Sequence, residues 1–234
     1  MILIGNELLS GRVQDANLHY LAGELWDLGC PVARVLIVRD IVDEIAEATR
    51  TMSDLHRWVF TTGGIGPTHD DVTIEGVARA FDTKVIGHRG LEKRLREHFG
   101  ERITEAHLRM ARIPEGAVLT GADPEAWPTV RMKNVFIFAG IPAILRRKFP
   151  EIREELRSAP IFRETLFFRT AEAVIADTLH GAAQRFPDIE IGSYPQTGGE
   201  ADTVQVTLEG ADQERLRKAV VFLEQITADI ERIR

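Results

Sequence analysis

A single cysteine, Cys30, in 234 residues cannot close an internal disulfide and leaves too few thiolates for a zinc cluster, so disulfide-stapled and zinc-folded classes are excluded. Its ordinary role is that of a small buried hydrophobe. Long apolar runs are missing as well. The longest, Val135 to Leu145, is interrupted by Gly140 and Pro142 and falls far below the roughly 18 residues that span a bilayer. Met1-Ile2-Leu3-Ile4 carries neither the basic region nor the long apolar stretch of a signal peptide. A cytoplasmic protein with no membrane partner is the expectation, and the abrupt strand-like start adds the expectation that part of a first strand is missing ahead of Met1. Positive charge is in deficit: 29 Lys and Arg against 36 Asp and Glu leave a net charge of −7. That field opposes a polyphosphate chain, so nucleic acid is not an expected partner, while small anions stay open through local groups. Glycine and proline number 19 and 10, close to a background of about 12%, which removes collagen-like and low-complexity classes.

What is present is a globular composition, 44% apolar and 28% charged, able to bury a full core. Strand and helix patterns alternate. After the apolar start, Asp15 caps a helix with Leu18, Leu21, Leu25 and Leu28 at helical spacing, stopped by Gly29. Val32 to Val38 reads as a strand, followed by a helix opened by Asp40 or Asp43 and carrying Ile45, Ala48 and Met52. Trp58 to Thr61 reads as a third strand that runs into a glycine loop and a helix with Ile74, Val77, Ala78 and Phe81 on one face. Leu91 to Arg112 reads as a charged, solvated helix whose acids roughly balance its bases. Asn134 to Ala139 is expected as a buried strand before a basic helix, Ala143 to Leu156, interrupted near Pro150. Such alternation predicts an α/β fold with a mostly parallel sheet covered on both faces. The texture changes near Ala159. Strand-like Phe162 to Arg169, helical Ala171 to Phe186, a turn at Gly192-Ser193-Tyr194-Pro195, strand-like Thr203 to Leu208 and helix Asp212 to Ile230 predict a small α+β subdomain. The expected domains are therefore 1–158 and 159–234.

The chemistry concentrates between Thr62 and Asp71. Gly63, Gly64 and Gly66 lie between a strand and a helix, where glycine permits positive φ and successive amides can turn toward one concavity that suits an anion. The spacing is neither the P-loop pattern nor the dinucleotide G-x-G-x-x-G, because Gly66 is followed by Pro67-Thr68-His69. Asp70 and Asp71 follow at once. Two carboxylates beside a phosphate cradle repel the phosphate unless a divalent cation or a proton-accepting task offsets them. Capping of the next helix through Thr73 and Ile74 explains one of the pair, not both.

In a parallel sheet the ligand lies outside the carboxyl ends of the strands. The predicted ends are Ile4-Gly5-Asn6-Glu7, Asp40, the glycine loop and Gly140-Ile141-Pro142. Glu7 with Ser10 and Asn17 is either a polar site or an ordinary turn and cap. Asp40 is a site carboxylate or a helix cap, and His69 a metal ligand, a proton carrier or a plain surface residue.

Thr62-Gly63-Gly64-Ile65-Gly66-Pro67-Thr68-His69-Asp70-Asp71-Val72-Thr73 resembles the signature of the molybdopterin-binding, MoaB/Mog-like fold, and specifically its CinA branch. Gly5-Asn6-Glu7-Leu8-Leu9-Ser10-Gly11 with Asn17 resembles the start of that branch, and Arg109-Met110-Ala111-Arg112-Ile113-Pro114-Glu115-Gly116-Ala117 its mid-domain segment. This resemblance covers about Ile2 to Leu156. Gly192-Ser193-Tyr194-Pro195 and its flanks resemble the tail of the molybdopterin-binding-like domain of eukaryotic FAD synthase.

The resemblance implies a three-layer α/β sandwich and a homo-oligomer. It implies a divalent-metal-dependent hydrolase (Mg, Mn or Co) of a nucleotide pyrophosphate of the ADP-ribose or FAD type, with two alternatives: molybdopterin binding and adenylylation, or a non-catalytic nucleotide- or pterin-binding module. Carried over by position, Gly63, Gly64, Gly66 and Thr68 would hold phosphate. Asp71 would be the functional aspartate and hold the metal with Asp70 or with Asp40, the second acidic position. Glu7 and His69 would be further catalytic groups, and Gly140, Pro142, Ser10 and Asn17 would complete the ligand site. Ile65 stands where molybdenum-cofactor proteins usually carry Thr, which favours the CinA and FAD-synthase side, and Ala139-Gly140-Ile141-Pro142 replaces a proline-glycine-x-proline loop. The sequence shows neither the deamidase domain of full-length CinA nor the nucleotidyl-transferase domain of FAD synthase, so neither activity is expected of it.

Overall fold

Side chains alternate faces along a strand, and the central strands of this protein bury both of theirs. In the computed structural model, which describes residues 1–121, 127–196 and 202–233, the chain divides into two units, Met1–Arg157 and Ser158–Arg234. The first unit opens with β1 (Ile2–Ile4), α1 (Asn6–Leu9), α2 (Asn17–Asp27), β2 (Leu36–Val38), α3 (Val42–Leu55), β3 (Val59–Thr62), α4 (Thr73–Ala80) and β4 (Val85–Gly87). It continues with α5 (Arg89–Phe99), α6 (Glu105–Arg109), β5 (Arg112–Pro114), β6 (Val118–Thr120), β7 (Thr129–Met132), β8 (Val135–Phe138) and α7 (Pro142–Lys148). Two short 3-10 turns, Phe149–Glu151 and Arg153–Leu156, close the unit.

Six strands form one sheet in the order β2-β1-β3-β8-β7-β6. The pairings β1 with β2, β1 with β3 and β3 with β8 are parallel, with Ile2 opposite Leu36 and Thr61, and Val59 opposite Val135. β7 and β6 add an antiparallel edge. On one face Leu3, Phe60, Phe136 and Phe138 pack with Leu21 and Leu25 of α2 and Leu145 of α7. On the other, Ile2, Ile4, Val59, Val135 and Ile137 pack with Ile45 and Met52 of α3 and Val77 of α4. That is the expected three-layer sandwich. The chain steps from β1 out to β2 and then back past β1 to β3, so the strand order reverses beside β1, the place where α/β sheets leave a crevice at their carboxyl ends.

The second unit holds β9 (Phe162–Phe168), α8 (Glu172–Arg185), β10 (Glu190–Gln196), β11 (Thr203–Gly210), α9 (Gln213–Ile226) and β12 (Arg232–Ile233). Its sheet, in the order β10-β11-β9-β12, is antiparallel. Leu166, Phe168, Val204, Val206 and Leu208 meet Ile175, Ala182, Leu216, Ala219 and Leu223 in a core of its own.

Several expectations need correction. Leu91 to Arg112 is not one helix: Gly100, at φ +54°, ends α5, Thr104 caps α6, and Arg112 already lies in β5, paired antiparallel with β4. The strand expected over Val32 to Val38 begins only at Leu36. Ala143 to Leu156 keeps α-helical form only to Lys148. The turn expected at Gly192 to Pro195 is part of β10. Pro195 lies on an edge strand opposite Val204, and edge strands are where sheets tolerate proline.

Candidate functional site

The carboxyl ends of β1, β3 and β8, three neighbours in the sheet, open into a cleft of about 710 Å³. Glu7, Asp40, Gly63, Gly64, Gly66, Thr68, Asp70, Asp71, Gly140 and Pro142 all line it. The structure thus brings together residues from four separate strand ends.

Gly63 and Gly64 adopt φ of +104° and +64°, values that favour glycine. A Cβ on Gly63 would lie 2.1 Å from the Ile4 carbonyl oxygen, and one on Gly64 2.4 Å from Thr73 Oγ1. The Gly63 amide donates to the Phe138 carbonyl (3.1 Å) and so extends the sheet instead of facing a ligand. Thr73, buried at the start of α4, donates through its hydroxyl to the Gly63 carbonyl (2.8 Å) and through its amide to the Gly64 carbonyl (2.9 Å). Among the described residues, the amides of Gly64, Ile65 and Gly66 have no protein acceptor. These three, not that of Gly63, are the donors available to an anion.

Asp70 and Asp71 do not cap α4, which has no side-chain cap. They fold back onto Thr68. Its amide donates to Asp71 Oδ2 (2.7 Å), and its hydroxyl lies within hydrogen-bond reach of both Asp70 Oδ1 (2.6 Å) and Asp71 Oδ2. One hydroxyl proton serves one carboxylate at a time. The Thr68 hydroxyl, followed by a backbone amide, holds the Asp70 carboxyl below its ordinary range. Gly66 makes room for this arrangement, since a Cβ there would come within 2.7 Å of Asp71 Oδ2.

Asp40 is not a helix cap either. Its Oδ2 accepts from the Asn6 amide (2.8 Å), tying the end of β2 to the turn after β1. The Glu7 carboxylate lies over Gly5, whose added Cβ would be 2.4 Å from Glu7 Oε1. Asn17 and Ser10 do not line the cleft. Asn17 is buried and donates to the Gly140 carbonyl (2.7 Å), so it acts on the site through that loop, and the Ser10 hydroxyl donates to the Glu7 carbonyl (3.2 Å). His69 is also outside the lining; its side chain is 97% exposed, with Nδ1 3.8 Å from Asp70 Oδ1.

Sequence reasoning missed a set of cleft residues. Arg109, Arg112, Arg147 and Lys148 line it, as does Trp127. Arg109 and Arg112 fall in the quoted mid-domain segment, where their charge passed for a solvated face. Lys148 was part of a basic helix; it is buried and donates to Glu151 Oε1 (2.8 Å). Trp127 stands in a stretch with no periodicity to mark it.

No group of three or more His, Cys, Asp or Glu side chains converges on one point among the described residues. Asp70 and Asp71 remain as a pair. A hard divalent cation such as Mg²⁺ is commonly held by one or two carboxylates together with substrate phosphate oxygens, and this pair beside three unpartnered amides fits that mode.

Comparison with known proteins bears on these features. Residues 1–158 match the family described as "Probable molybdopterin binding domain", and residues 160–231 that of "FAD synthase, middle domain". A protein of Archaeoglobus fulgidus is 35% identical over 231 residues, spanning 98% of this chain and 97% of that one. A "Probable FAD synthase" of Caenorhabditis elegans is 28% identical over 257 residues, spanning 97% of this chain and 49% of the relative, so the chain corresponds to about half of that protein. Among solved structures, the protein CinA of Thermoplasma acidophilum, described as of unknown function, superposes with a TM-score of 0.61 at 27% identity, covering 67% of this chain and 97% of its own.

Proposed function

We propose, for a chain that belongs over residues 1–158 to the molybdopterin-binding domain family and over residues 160–231 to that of the FAD synthase middle domain, that the cleft hydrolyses a nucleotide pyrophosphate of the ADP-ribose or FAD type with the aid of a divalent cation. The observation that carries the reading is the close placement of three unpartnered loop amides and the Thr68-held carboxylate pair in one cleft. Amides alone would suit any anion; the added carboxylates suit a phosphate that arrives with a metal.

In this reading the Gly64, Ile65 and Gly66 amides hold phosphate oxygens and stabilise the charge that develops on them. Asp71 and Asp70 hold the cation, whose contribution is to neutralise phosphate charge and polarise a phosphoryl oxygen. Water adds to one phosphorus, the P–O–P bond breaks, and the bridging oxygen leaves with the other phosphate, so that ADP-ribose gives AMP and ribose 5-phosphate and FAD gives AMP and FMN. Glu7, which lines the cleft, takes the water proton; such base catalysis contributes roughly 10² to 10⁴ in rate. His69, outside the cleft, has no part.

The test is a screen of purified protein against ADP-ribose, FAD, NAD and dinucleoside polyphosphates with Mg²⁺, Mn²⁺ or Co²⁺, with products identified by chromatography. Metal-dependent release of AMP is the expected result. Tight molybdopterin retention with no hydrolysis would replace this reading with the pterin one, and nucleotide binding with no turnover would reduce the cleft to a binding module.

A further inference from the structure

The cleft extends beyond its polar end. About 710 Å³ lies in the range of about 300–1,000 Å³ that holds a drug-sized ligand, more than a pyrophosphate alone requires. Besides the cations Arg109, Arg112, Arg147 and Lys148, the lining includes Trp127, Pro128, Thr129 and Val130, leading into and along β7, with Met110 after α6 and Ile144 on α7. None of the latter six carries a charge.

Trp127 is half-buried and packs against the cluster of Leu91, Leu95, Ala111 and Ile113, so the indole is fixed from behind while part of it lines the cleft. Gly121 lies close to Pro128. A Cβ on Gly121 would lie 2.5 Å from Glu151 Oε2 and 4.0 Å from the Pro128 Cα, and Glu151 is itself held by the buried Lys148 ammonium at 2.8 Å. The six uncharged residues give this part of the lining a surface suited to a flat apolar group. An indole ordered in advance loses little entropy on contact and offers a face on which any aromatic heterocycle can stack.

We infer that Trp127 is the stacking platform for the aromatic heterocycle of the nucleotide, with the ring at the β7 wall and the pyrophosphate at the glycine loop. The inference rests on the nucleotide reading above and deepens it: the substrate class is one that carries an aromatic ring, and the sugar phosphate alone is a poor ligand.

The experiment measures binding of AMP, FMN and ribose 5-phosphate to the parent, Trp127→Phe and Trp127→Ala by calorimetry, with tryptophan emission followed in parallel. AMP or FMN should quench emission in the parent. Trp127→Ala should weaken the ring-bearing ligands about tenfold or more, Trp127→Phe should retain them within about threefold, and ribose 5-phosphate should bind weakly and equally to all three. Stronger binding of AMP would assign the wall to adenine, and of FMN to the flavin; either supports the inference. Parent-like affinity of folded Trp127→Ala for both ring-bearing ligands would overturn it, as would a parent that binds neither, or an equal loss for ribose 5-phosphate. Because binding is read without turnover, the two readings separate. Trp127-dependent binding with no cleavage removes the hydrolase and keeps the platform, whereas hydrolysis whose KM ignores Trp127→Ala removes the platform and keeps the hydrolase.

Discussion

Arg109, at the end of α6, donates through Nε and Nη2 to the carbonyl of Pro67, at 3.2 and 2.6 Å. The two residues are 42 positions apart, and their contact fixes the peptide that precedes Thr68, the residue on which both aspartates converge. A guanidinium fork here converges two bonds on one oxygen; an ammonium makes one from a flexible stem. Arg109→Lys should therefore keep the charge of the cleft but loosen the Thr68 turn. A drop of roughly tenfold in kcat/KM, with Tm nearly unchanged, is the expected outcome, in proportion to the loss of about 1.5 kcal/mol from a charge-assisted hydrogen bond. Steady-state kinetics beside a thermal melt checks it; unchanged kinetics would mean that the loop holds its shape without Arg109.

Gly66 separates site geometry from backbone strain. Unlike Gly63 and Gly64 it is not among the positive-φ glycines, yet an added Cβ would meet Asp71 Oδ2 at 2.7 Å. Gly66→Ala should fold normally, displace the Asp71 carboxylate from Thr68 and reduce turnover by roughly tenfold or more. Gly64→Val, by contrast, forces a β-branched residue to φ +64° against Thr73 and should cost about 1–3 kcal/mol of stability as well as activity. Denaturant unfolding of the two variants alongside activity distinguishes the effects. Equal stability losses in both would contradict the account.

The Asp70 carboxyl is held below its ordinary value of 3.8 chiefly by the Thr68 hydroxyl. A carboxyl with a depressed folded-state pKa adds stability above its unfolded pKa and loses it as pH falls through the lower folded value. At this exposed site the stability effect is small, so the titration itself is the useful readout. Thr68→Val should move the Asp70 midpoint upward toward 3.8, as followed by NMR of the carboxyl carbon between pH 2 and 6. An unmoved midpoint would show that the hydroxyl does not set it.

The Lys148–Glu151 pair is buried, with side-chain exposures of 6% and 16%. Lys148→Met removes the cation and leaves a carboxylate with little water around it, a change that costs about 3–5 kcal/mol in buried pairs. The double variant Lys148→Met with Glu151→Gln should recover much of that loss. Denaturant unfolding checks both, and additive losses would indicate that the two side chains do not act as a pair.

The layers of the sandwich could be read from the sequence because the central strands are short, largely apolar runs bounded by loops and the helices α2, α3 and α4 carry apolar residues at a period of 3.6. Strands β4 to β7 could not, since these equally short segments mix glycine, proline or polar residues with their apolar ones and their pairing is set by tertiary contact. The glycine loop was legible through its residue types and its place after a strand, and so were the other strand ends through the geometry of parallel sheets. Its hydrogen bonds were not. Asp71 and Asp40 stand where helix caps are expected, and only folding shows that one turns back to Thr68 and the other across to Asn6. The Arg109 clamp and the Trp127 wall join segments distant in sequence, and local patterns carry no trace of such contacts.

The claim at the centre of this account is that Asp71 holds a divalent cation beside a pyrophosphate. Asp71→Asn preserves an oxygen that can accept from the Thr68 amide and removes only the negative charge, so the fold should persist. The decisive measurement is the rate of ADP-ribose or FAD hydrolysis as a function of metal concentration for parent and Asp71→Asn, each accompanied by a thermal melt. The account predicts unchanged melting with turnover reduced by about two orders of magnitude or more, in line with the loss of an electrostatic contact in the transition state. Parent-like turnover of Asp71→Asn at every metal concentration would contradict it.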